Sequence, residues 1–164
     1  MKKKLAKLLI CVSMIGLVFS LGACGSDDDK DTGKKLATQQ TTKKQSSSKQ
    51  YASIKDYVND PTFQAEIKKQ MAQYEGQGMS MEITGEGDKL VYTYKYTDEK
   101  LIDDDFTLDD AKEYFDGAMK NNESQFKSLC SQLTKYIDVE DPSVVIRYYD
   151  YDDTLIWEKE FKAD

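Results

Sequence analysis

The chain has 164 residues, with 30 Asp and Glu against 23 Lys and Arg for a formal charge of −7, three cysteines and no histidine. Without histidine the commonest zinc ligand and general base are missing, so Ser–His and Cys–His catalytic pairs are excluded. Residues 51–164 carry 13 basic and 26 acidic residues, net −13, a field that repels nucleic acid and anionic lipid headgroups.

Lys2, Lys3, Lys4 and Lys7 form a basic start, and the apolar run Leu8 to Leu21 follows it. As a helix, that run reaches about 21 Å, short of the roughly 30 Å hydrocarbon core, so a cleaved signal over residues 1–23 is expected rather than a spanning helix. Leu21-Gly22-Ala23-Cys24 resembles the lipobox of bacterial lipoproteins. That resemblance implies cleavage after Ala23 and lipidation of Cys24, the membrane partner being reached through the acyl chains. Gly25 stands where an inner-membrane retention signal would have Asp. The expected location is the outer face of the cell membrane, exposed to wall or extracellular space. Cys11 leaves with the signal and Cys24 takes lipid, so Cys130 remains without a disulfide partner and reads as a small core hydrophobe.

Residues 24–50 are rich in Ser, Thr, Gln, Lys and Asp, too polar to bury a core, and read as a tether. A single acidic domain is expected over residues 51–164. Ser53 caps a short turn over 54–59, and Asp60-Pro61 starts a helix whose Phe63, Ile67, Met71 and Tyr74 share one face up to Gly76. Met79, Met81 and Ile83 alternate with polar residues, Gly85 to Asp88 supply a turn, and Leu90, Tyr92, Tyr94 and Tyr96 alternate in the next strand. The tyrosines are expected on the helices, with their hydroxyls reaching the rim.

Asp98 to Phe106 is an acidic loop, and Thr107 with Asp110 marks a helix start. Apolar spacing carries this second helix to about Tyr136, long enough to overhang the sheet or bend near Asn121-Asn122. Val144, Ile146 and Tyr148, then Leu155, Trp157 and Phe161, alternate in a second hairpin. The pattern predicts an α+β fold of order αββαββ: a two-layer sandwich with a four-stranded antiparallel sheet and two helices on one face, a possible internal duplication.

The run Tyr51 to Pro61, with Gly78-Met-Ser-Met-Glu-Ile-Thr-Gly-Glu-Gly-Asp-Lys-Leu-Val-Tyr-Thr-Tyr-Lys-Tyr96, resembles a family of small Gram-positive lipoproteins sharing a domain of unknown function. The similarity extends over most of residues 51 to 161, and it implies no activity and no catalytic residue. Acidic clusters at 103–105 and 150–153 have oxygen chemistry that suits calcium, but neither has EF-hand spacing, and a solvated loop is the expectation for both. No catalytic, cofactor-binding or metal residue is assigned. Lys95, Arg147, Tyr149 and Tyr151 form the candidate binding surface on the polar side of the sheet. The expectation is a surface-anchored, non-catalytic interaction module with an envelope protein partner; the alternative is a small-ligand, glycan or calcium binder.

Overall fold

The computed structural model describes residues 50–72, 76 and 78–164. The expected signal segment, cleavage after Ala23, lipidation at Cys24, the tether to residue 49, and Tyr74 lie outside the described residues.

Local capping sets the helix starts. Ser53 accepts a hydrogen bond from the Asp56 amide at 3.1 Å and opens α1 (Ile54–Val58). Asp60 Oδ1 accepts from the Thr62 and Phe63 amides at 2.8 and 3.2 Å and opens α2 (Pro61–Met71), where proline at the first position loses no helical bond. Strands β1 (Met79–Glu86) and β2 (Lys89–Tyr96) close on Gly87 and Asp88. Gly87 takes φ +61° and Asp88 is not among the positive-φ residues, the sign pattern of a type II′ hairpin.

A reciprocal capping box between Thr107 and Asp110 starts α3 (Leu108–Lys120). The helical segment breaks at Asn121-Asn122 and resumes as α4 (Glu123–Tyr136), the bend that helix length made one of two outcomes. Strands β3 (Ser143–Tyr149) and β4 (Leu155–Lys162) complete the order. Tyr51 is stitched to the end of α4, donating to the Tyr136 carbonyl at 3.0 Å and accepting from the Asp138 amide at 2.8 Å.

The sheet has the order β1-β2-β3-β4 and is mixed, which corrects the expectation of an antiparallel sheet. Both hairpins are antiparallel, but β2 and β3 run parallel, with Leu90 opposite Val144 and Tyr94 opposite Tyr148. The physical reason is the connection. The α3–α4 segment returns the chain from the Tyr96 end of β2 to the Lys89 end, so β3 sets out in the direction that β2 did.

One row from each strand enters the core, except at the start of β4, where the register shifts at Tyr148/Tyr149: Ile156 is buried there, and Leu155, expected on the apolar row with Trp157 and Phe161, is 43% exposed. Leu90, Tyr92, Tyr94 and Tyr96 join Val144, Ile146 and Tyr148, Trp157 and Phe161, together with Phe115, Met119, Phe126 and Leu133 from the helices. Phe115 stacks on Tyr148 at 4.3 Å, Tyr148 on Tyr94 at 4.9 Å, and the Trp157 indole donates to Asp116 at 2.9 Å. Tyr92 and Tyr94 are 3% and 1% exposed, so their hydroxyls stay inside and do not reach the rim as expected. Burial, with Tyr94 alongside, holds the Tyr92 phenol protonated well above its ordinary range. Cys130 is fully buried, its thiol within 3.3 Å of the Phe161 carbonyl, and burial raises its pKa, leaving it unreactive.

Gly85 marks a close approach of helix to sheet: a Cβ there would lie 2.6 Å from the Lys55 backbone nitrogen. Gly85→Val must therefore lift α1 from β1. We expect a loss of ~1–3 kcal/mol or more, read as a lowered urea midpoint, whereas Lys55→Ala, exposed and unpaired among the described residues, should move it by less than ~0.5 kcal/mol.

Candidate functional site

The strand row opposite the core is polar and paired. Arg147 Nη1 donates to Glu86 at 2.8 Å and its Nε donates to Glu158 at 2.5 Å. Arg147 stands one strand beyond β2 and four residues along from the level of Glu86, so in the register of the sheet the line joining them crosses β2 at Val91. Lys89 and Glu160, 2.9 Å apart, likewise span β3 beside Val145. Val91 and Val145 are 0% and 2% exposed although they point away from the core, because the stems of these charged side chains lie over them. Hydrogen bonds donated to Glu86 and Glu158 hold the Arg147 guanidinium charged beyond its already high range.

The candidate residues read from sequence are only partly brought together. Lys95 and Tyr149 are register partners and line a cleft of about 230 Å³ with Ser80, Glu82, Thr93 and Asp153, where Lys95 pairs with Asp153. Arg147 is committed to its two glutamates. Tyr151 lies outside the cleft lining and is 54% exposed in the β3–β4 turn, near Leu155, which is 43% exposed and faces Tyr149.

The acidic clusters are fasteners. Asp150 is fully buried, where a solvated loop was expected, and it accepts from the amides of Leu101, Ile102 and Tyr151 at 2.7, 3.0 and 2.8 Å, tying the 98–106 loop to the β3–β4 turn. Asp152 pairs with Lys100 at 2.8 Å, and Asp103 accepts from the Asp105 and Phe106 amides. Among the described residues no group of three or more His, Cys, Asp or Glu is disposed to hold a metal ion.

Another concavity, about 550 Å³, was not anticipated. It runs between α2 and β1 and is lined by Val58, Gln64, Ile67, Lys68 and Met71 on the helical side and by five consecutive strand residues, Met81 to Gly85, with Lys55 also on its wall. Side chains alternate across a strand, so consecutive lining residues mean that the groove follows the strand's edge, not its face. Nothing in β1 taken alone marks it as an edge strand. The i, i+3, i+4 and i+7 spacing of Gln64, Ile67, Lys68 and Met71 was the available signal, because it combines core and open positions on one helical stripe.

A family model described as a domain of unknown function (DUF4854) matches residues 54–161. No curated protein and no solved structure is matched.

Two outcomes test this surface. Arg147→Ala strips the cover from Val91 and leaves two glutamates without their cation, with an expected cost of ~1–2 kcal/mol in chemical denaturation; Arg147→Met, which keeps the stem, should recover about half. The Asp152 carboxyl, held at about 2 by hydrogen bonds from Lys100 and then Thr154, should titrate there in a carbon-detected NMR titration and move back up in Lys100→Ala. Its folded pKa is depressed, so its contribution is present above the unfolded value of roughly 3.9 and is lost as pH falls through about 2.

Proposed function

The chain belongs to the DUF4854 family, whose function is undefined, and from that premise we propose a Gram-positive lipoprotein, anchored through Cys24 on the outer face of the membrane, whose domain binds a protein partner without catalysing a reaction. The lipobox with its preceding basic and apolar runs supports the anchor. The proposal also takes the domain as two layers, with the helices over one face of the sheet, since helical side chains share one cluster with the core-facing row of each strand.

The observation that carries the binding reading is the groove between α2 and the edge of β1. It offers Ile67, Met71 and Met81 beside the amines of Lys55 and Lys68. Partly buried methionines pack against ligands of varied shape, and an edge strand offers main-chain hydrogen bonds. A second reading, a glycan or other small polar ligand, is favoured by the Lys95–Tyr149 cleft, where an aromatic ring stands among hydroxyls and carboxylates.

Crosslinking on intact cells with wild type and Cys24→Ala separates these. We expect wild type to recover one envelope protein in stoichiometric yield and Cys24→Ala to lose both acyl labelling and that partner. Recovery of nothing above control overturns the protein-binding reading and leaves the cleft, where Tyr149→Ala should abolish saturable glycan binding.

A further inference from the structure

We propose that the edge of β1 over Met81 to Gly85 takes an extended acidic–apolar peptide segment of the partner as a fifth strand, seated between β1 and α2. This rests on the protein-binding reading and adds the mode of recognition and the chemistry of the segment.

The backbone sets the mode. Thr97 donates to the Gly78 carbonyl at 3.0 Å, which places this pair at a hydrogen-bonded position of the antiparallel ladder. Such positions recur every second residue, so Ser80, Glu82, Thr84 and Glu86 direct their amides and carbonyls to β2. Met81 and Ile83 direct theirs outward, and β1 ends the sheet on that side. The groove follows this edge over Met81 to Gly85, a length of about 17 Å, enough for a strand of about five residues. Alternate side chains of an added strand would turn toward Ile67 and Met71.

Charge sets the chemistry. Lys55 and Lys68 line the groove with Glu82 as the one carboxylate of its lining, and neither amine forms an ion pair among the described residues, so the lining is net positive in a domain where acids outnumber bases two to one. Most other cations on the sheet are engaged: Lys89 with Glu160, Lys95 with Asp153, Arg147 with two glutamates. An incoming segment with a carboxylate near each end meets the unengaged amines. A second copy of this chain is disfavoured as the occupant, because pairing β1 with itself would bring Glu82 and Glu86 of two acidic domains together.

The test is fluorescence anisotropy of a labelled pentapeptide, Asp-Val-Thr-Val-Asp, titrated with the detergent-solubilised full chain. Saturable binding is expected, at least tenfold weaker for the counterpart Lys-Val-Thr-Val-Lys and at least tenfold weaker for the double variant Lys55→Glu, Lys68→Glu. Met81→Pro removes an outward amide without touching the ladder to β2, as edge strands allow, and should also weaken binding at least tenfold while far-UV circular dichroism stays native. Absence of saturable binding, equal binding of the lysine peptide, or binding indifferent to either variant overturns the proposal. In the crosslinking experiment, a partner recovered equally by wild type and Met81→Pro removes strand addition while the protein-binding reading stands; a dimer lost in Met81→Pro identifies a second copy as the occupant and overturns it.

Discussion

The parallel pairing of β2 with β3 is the constraint on which the rest of this domain depends. It places Tyr94 beside Tyr148 on the core side, and Phe115 of α3 stacks onto Tyr148 from above. Each such aromatic contact is worth about 0.5–1.5 kcal/mol beyond the area it buries. The Trp157 indole, bonded to Asp116, fastens β4 to the same helix. Because the two central strands come from different hairpins, the outer strand of each hairpin becomes an edge. The groove between α2 and β1 is a consequence of that arrangement.

Electrostatics divides the molecule differently from its composition. An excess of acid suggests a uniformly repelling surface, yet many of the carboxylates are spent on holding backbone. Asp60, Asp103, Asp110 and Asp150 each accept from amides, and Glu86, Glu158 and Glu160 hold the cations that roof Val91 and Val145. The polar side of the sheet is therefore cross-linked by ion pairs around Val91 and Val145 and open at the Lys95–Tyr149 cleft. Lys55 and Lys68 at the groove stand outside those ion pairs.

Helix starts and hairpins were legible because their signals are local. Ser53, Asp60 and Thr107 have short side chains that reach an amide two or three residues on, and that geometry needs no other part of the chain. Alternation of Leu90 through Tyr96 likewise marks one face of a strand whatever lies beside it. The candidate surface was legible only in part. Lys95 and Tyr149 meet because register makes them neighbours, but the neutralisation of Arg147 depends on Glu86, sixty-one residues away. The burial of Asp150 depends on amides at Leu101 and Ile102 that no turn pattern reveals.

The sequence by itself determined which segments form helices and strands, where they start, and which side of a regular strand is apolar, since capping bonds and side-chain periodicity act over a few residues; at the register shift opening β4 the period failed, and Ile156 is buried in place of Leu155. The direction of β3 relative to β2, the identity of the edge strands and the partners of the buried or cross-sheet charges were decided only by tertiary structure. A two-residue period is the same in parallel and antiparallel strands, and an edge is defined by a neighbour that is absent, which no residue in the strand encodes.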